Sequence, residues 1–176
     1  MPWANGGGTT YQVAIAPADA TLDEFSWRIS LADIDSSGPF SSLLGIDRLL
    51  VVIDGAGMDL TIDGETRTIA RLTPISFAGE SVTTCELTTG PTRDLNIMTR
   101  RDACTASLAV LDLRIETPVV LADGLTVVVV LDGRCDVEGT VLGLSPRDAL
   151  VATDPTRLTG QATLAIVTIR DEPTTR

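Results

Sequence analysis

Short runs of apolar and β-branched residues, each closed by a turn-forming pair, recur along this chain and leave little room for anything but strands. Phe25-Ser26-Trp27-Arg28-Ile29-Ser30-Leu31 alternates apolar and polar with a period of two. Asp94 to Thr99 and Arg157 to Leu164 read as strands as well. Leu49 to Ile53 and Thr126 to Leu131 are continuous apolar runs, the pattern of strands buried on both faces. Asp54-Gly55, Asp63-Gly64, Asp123-Gly124 and Asp132-Gly133 supply hairpin turns. Pro74, Pro118, Pro146 and Pro155 fall at segment ends, where a missing N–H does least harm. Helical periodicity nowhere persists beyond about two turns. The expectation is an all-β chain.

An internal echo divides it. Val51-Val52-Ile53-Asp54-Gly55 returns 78 residues later as Val129-Val130-Leu131-Asp132-Gly133. Each copy is followed by a Leu-x-Pro element, Leu72-Thr73-Pro74 and Leu144-Ser145-Pro146. Two similar β units are therefore expected, over residues 1–104 and 105–176, packed as one structural unit. All six aromatics (Trp3, Tyr11, Phe25, Trp27, Phe40 and Phe77) lie in the first unit. Ligand pockets use aromatic walls with a few convergent polar groups, so a site is expected there.

Composition removes whole classes of chemistry. There is no histidine, hence no Ser-His-Asp or Cys-His nucleophile pair and no His-ligated metal. Thirteen basic residues, all Arg, face 24 acidic ones, a net charge of −11. Such a chain gains nothing from phosphate counterion release, and neither nucleic acid nor an anionic membrane is an expected partner. The longest apolar run is far too short to span a bilayer. Cys85, Cys104 and Cys135 are widely spaced and odd in number, which reads as three buried thiols in a reducing cytoplasm.

Four segments hold candidate chemistry. Asn5-Gly6-Gly7-Gly8-Thr9-Thr10 offers exposed backbone N–H groups or simply a flexible turn. Alternation sets Phe25, Trp27, Ile29 and Leu31 on one strand face and Ser26, Arg28 and Ser30 on the other. Arg48 ends the loop from Gly38 and abuts a strand expected to be buried on both sides. A cation there needs an anion, either a ligand or a neighbour such as Asp47 or Asp54. Finally, Asp94, Asn96, Met98 and Arg100 share one strand face whose mixed chemistry suits a pocket wall.

Taken together, W-x-N-G-G-G-x-T from Trp3, F-x-W-R-x-S from Phe25, G-P-F-S-x-x-x-G-x-[DE]-R from Gly38 and D-x-N-[IV]-M-T-R from Asp94 resemble the HutD/Ves family of cupin-like proteins. The resemblance is close over about residues 1–104 and weaker beyond. It implies a bicupin, two small antiparallel β-barrel or sandwich (jelly-roll-like) halves packed together. It also implies a regulatory role in histidine utilisation or a related stress response, with a small carboxylate such as urocanate as ligand. Metal cupins carry a Glu ligand seven residues before the Gly that ends their first motif. Arg48 takes that position here, and Val82 stands near where a second-motif His would fall. Guanidinium in place of carboxylate turns a cation trap into an anion trap.

The leading expectation is a metal-free, cofactor-free carboxylate-binding protein. Arg48 would be its anion anchor and Asn96 an orienting amide, with Arg28, Trp3, Asn5, Phe40 and Met98 as walls or second contacts. A metal-independent isomerase, lyase or hydrolase is the runner-up, with Asp47, Asp94, Glu80 or Cys85 as its acid or base. In a third reading the Val-rich second half forms a homodimer sheet.

Overall fold

Strands form where period-two alternation or a β-branched run is uninterrupted, and in the computed structural model every regular element among the described residues is a strand. Residues 1–3, 6–115, 118–122 and 124–172 are described. They divide into two units, Met1–Thr105 with Asp171–Arg176, and Ala106–Arg170. Among the described residues, no helix is long and apolar enough to cross a membrane.

The first unit is a sandwich of two antiparallel sheets. One runs in the order β1-β2-β9-β4-β7: β1 (Gly8–Ala16), β2 (Trp27–Ile34), β9 (Thr92–Arg100), β4 (Ile46–Asp54) and β7 (Ile75–Ala78). The other runs β3 (Gly38–Pro39), β8 (Thr83–Glu86), β5 (Met58–Ile62) and β6 (Glu65–Ile69). Ile34, Leu50 and Val52 of the first sheet meet Met58, Leu60, Ile69 and Cys85 of the second in one apolar core. Truncating a fully buried member such as Leu60 to Ala typically costs about 2–5 kcal/mol. Leu50, Val51 and Val52 are all buried, so β4 is covered on both faces, as its continuous apolar run implies. Asp63-Gly64 forms the expected turn between β5 and β6, with both residues at positive φ.

The second unit holds all but the first two residues of β10 (Cys104–Leu113), β11 (Val119–Leu121), β12 (Thr126–Val137), β13 (Gly143–Leu144), β14 (Ala149–Ala152) and all but the last residue of β15 (Thr156–Asp171), in one sheet. Val128, Val130, Leu158 and Leu164 anchor its core. Here one expectation fails. Asp132-Gly133 does not turn the chain: β12 continues to Val137 through a register shift between Val130 and Asp132. Gly133 sits at φ 77°, where only glycine avoids running a Cβ into the Gln161 carbonyl oxygen. The same dipeptide thus serves as a turn in one unit and as a bulge in the other. Gly133→Ala is expected to cost about 2 kcal/mol, a fall of roughly 4–8 °C in a thermal melt, whereas an unchanged melting temperature would mean the bulge accommodates a side chain.

Candidate functional site

In the five-stranded sheet the hydrogen-bonded register lines up three rows on the face that also carries the core. Arg28, Met98, Arg48 and Phe77 stand opposite one another across β2, β9, β4 and β7. Ser30, Asn96 and Leu50 form the next row, and Ala32, Asp94 and Val52 the third. One end of this face is apolar and packs on the second sheet. The other end is polar and borders a cavity of about 400 Å³, within the range of small-molecule sites.

Arg48, Asn96, Arg28, Trp3, Phe40 and Met98 all line that cavity. Asn5 lies outside the described residues. The N-terminal segment folds back along β1, with the Trp3 N–H donating to the Gly8 carbonyl at 2.9 Å and the indole N–H to Thr10 Oγ1 at 2.8 Å. Gly8 is required for this approach, since a Cβ there would lie 3.2 Å from the Trp3 ring and collide with the Asp33 carbonyl. The glycine run is therefore used for close packing of an aromatic wall, in addition to its turn at Gly6.

Arg48 is 5% exposed. Its guanidinium carbon lies 4.9 Å from the Phe40 ring centroid and 5.1 Å from that of Phe77, so the cation is held by two aromatic faces. The acidic neighbours that could have neutralised it are engaged elsewhere. Asp47 pairs with Arg101 at 2.8 Å, and Asp54 accepts the Gly55 N–H at 2.9 Å. Arg48 Nε has no hydrogen-bond partner. Burial lowers its pKa to about 10 against the upward pull of Asp94.

Asp94 is 1% exposed, and its Oδ1 is also without a partner. Burial pushes it up to about 7; Arg48 pulls it down, and Asp33 adds a smaller upward push. Asn96 Oδ1 is the third buried polar atom without a partner. Arg28 is buried too, which lowers its pKa, and its Nε donates to Gln12 Oε1 at 3.3 Å. Buried polar groups are normally satisfied, and these three are exceptions, all on residues that line one cavity.

One face assignment from alternation needs correction. Phe25 lines the cavity with Arg28 rather than facing away with Ile29, because β2 begins only at Trp27 and the period of two does not extend back to it. Arg100 does not reach the cavity. Its guanidinium donates to the Phe25 and Asp23 carbonyls at 3.1 and 2.6 Å and lies 5.8 Å from the Phe25 ring, buttressing that wall. Phe77 was no site candidate; its signal is the β4–β7 register, which sets it directly opposite Arg48.

Cupin folds imply a metal, and the residues present do not fit one. The cavity offers one carboxylate, one amide and two guanidinium groups, and among the described residues no three His, Cys, Asp or Glu side chains are grouped to hold an ion. Val82, near the second-motif position, is 76% exposed. Of the other acid–base candidates, Glu80 is engaged with Arg101 at 2.9 Å, and burial pushes the Cys85 thiol up, away from thiolate.

Comparison with known proteins identifies the family and the fold. The HutD family model matches residues 1–168. Protein Ves of Citrobacter koseri is 41% identical over 112 residues, 62% of this chain and 58% of that protein. HutD from Pseudomonas fluorescens SBW25, solved in a formate condition, superposes with a TM-score of 0.85 at 34% identity, covering 98% of this chain and 94% of that one. A cupin 2 conserved barrel domain protein from Leptotrichia buccalis shares the fold at a TM-score of 0.64 and 13% identity, over 93% of this chain and 89% of that one. This chain spans just over half the length of the curated relatives it matches.

Proposed function

Because this chain belongs to the HutD family, we propose that it is a metal-free protein that binds a small organic carboxylate in the cavity of its first unit. The observation that carries this reading is Arg48. It is a buried cation clasped by Phe40 and Phe77, with an unpartnered N–H, at the edge of a cavity about 400 Å³ in volume. A guanidinium fork matches a carboxylate bidentately, and the low dielectric around it strengthens the contact. Arg28 adds positive potential, while Trp3, Phe40 and Met98 supply apolar walls for the carbon skeleton. Urocanate or a related metabolite is the first ligand to try, with a regulatory role in histidine utilisation or a stress response. That role follows from the family and not from the geometry.

Calorimetric titration of the whole chain with urocanate and formate tests the reading, in parallel with Arg48→Ala. Saturable heat in the wild type that disappears in the variant is the expected result. Absence of heat in both proteins, for every acid tried, would overturn it.

One observation favours a second reading. A buried carboxyl near neutrality, as at Asp94, is what general acid–base catalysis requires. Turnover of a bound acid that vanishes in Asp94→Asn would favour a metal-independent enzyme.

A further inference from the structure

We propose that the second unit holds a binding cavity of its own, equivalent in position to that of the first, and that it takes a short aliphatic monocarboxylic acid with the chain inside and the carboxylate at Arg170.

The offset of 78 residues that relates the segments at Val51 and Val129 also relates their strand registers. In the first unit Arg48, Leu50 and Val52 of β4 stand opposite Met98, Asn96 and Asp94 of β9, and a register shift follows between Val52 and Asp54. In the second, Thr126, Val128 and Val130 of β12 stand opposite Thr168, Ile166 and Leu164 of β15, and a shift follows between Val130 and Asp132. Leu50 and Val52 belong to the core of one unit, Val128 and Val130 to that of the other, so the paired rows point inward alike. A cavity of about 250 Å³ opens at the same place in the second register, against Thr126, Ile166 and Thr168.

Position is kept and chemistry is exchanged. Thr126 stands where Arg48 does, Ile166 where Asn96 does and Leu164 where Asp94 does. The polar groups of the first wall thus have uncharged counterparts, and Leu111, Val119 and Leu121 extend the second wall as aliphatic surface. An apolar cavity of about 150 Å³ stays dry and admits a six-carbon ring, so this one has room for a chain of roughly six to eight carbons.

The inward face of β15 is graded. Leu164 is buried, Ile166 and Thr168 are half-buried and Arg170 is exposed, at intervals of roughly 7 Å along the strand. Aliphatic, hydroxyl and cationic groups follow one another outward, in the order that suits an acid entering tail first. Arg170 lines the cavity and makes no ion pair among the described residues. In a chain of net charge −11, a free guanidinium at the mouth of an aliphatic cavity favours a carboxylate head. A second carboxylate on the ligand would be driven unpaired against the aliphatic wall, which restricts the class to monoacids.

NMR titration of the whole chain with hexanoate and with 1-hexanol tests this, in wild type and in Arg48→Ala, where the first cavity has lost its anchor. Saturable hexanoate binding that persists in Arg48→Ala is the expected result. Val119→Trp, which fills the cavity, should abolish binding of both compounds. Arg170→Ala, at an exposed position that leaves the core untouched, should weaken hexanoate about three- to tenfold and leave hexanol unchanged. Absence of hexanoate binding, its loss in Arg48→Ala with the melting transition retained, its survival in a folded Val119→Trp, or an affinity unmoved by Arg170→Ala would each overturn the assignment. The Arg170→Ala comparison decides alone if Val119→Trp does not fold.

Discussion

Arg48→Met is expected to weaken binding of small carboxylates by about a hundredfold or more while the melting temperature holds or rises. The two effects have one cause. Removing one partner of a buried charge-assisted contact typically costs about 2–5 kcal/mol of binding, and a hundredfold corresponds to about 2.8 kcal/mol. In the unliganded protein the same guanidinium is a desolvated cation with an unpartnered Nε. Among the described residues, two ring faces and a carboxyl that burial itself drives toward the neutral form compensate it. Methionine fills the slot between Phe40 and Phe77 without that desolvation cost, and Asp94, relieved of the pull from Arg48, simply keeps its proton. Calorimetric titration and a thermal melt at pH 6, run side by side, separate the outcomes. Retained affinity would remove Arg48 from the site. A collapsed melting temperature would make it a structural cation instead of a binding group held at some expense of stability.

Asp94→Asn is expected to stabilise the protein strongly at pH 8 and hardly at all at pH 4. The direction follows from the raised folded-state value. Asp94 is pushed from the usual 3.8 to about 7, so between those values the folded state holds a proton that the unfolded state has released. Stability therefore falls as pH rises through that window and levels off above it. At about 1.36 kcal/mol per unit, the window of roughly three units is worth on the order of 4 kcal/mol, or about 10 °C for a chain of this size. Asparagine is neutral throughout and escapes the penalty. Melting curves of both proteins from pH 4 to 8 measure the difference directly. Parallel curves would show that Asp94 is not the titrating group.

Much of the cavity wall was legible in the sequence because it is built from strands. A period of two is a local property, and it set Arg28 with Ser30, and Asp94 with Asn96 and Met98, before any tertiary contact was considered. The demand that Arg48 find an anion was equally local, since its neighbours formed a run too apolar to be exposed. The errors arose where locality ended. Phe25 was assigned by extending a pattern past the strand that produced it. Asp47 and Asp54 were plausible partners for Arg48, and only the folded chain shows Arg101 and the Gly55 N–H engaging them instead. Asp132-Gly133 reads as a turn in any sequence, yet β15 continues beside it and makes it a bulge.

By itself, then, the sequence determined the β class, the exclusion of imidazole chemistry and the composition of the polar stripe, because each depends on composition or on residues close together in the chain. Tertiary structure alone decided that the stripe faces a void rather than solvent, that Phe77 lies opposite Arg48, and that three buried polar atoms go unanswered. Those outcomes depend on strand register and on what packs across a sheet, and strands far apart in sequence meet only once the chain has folded.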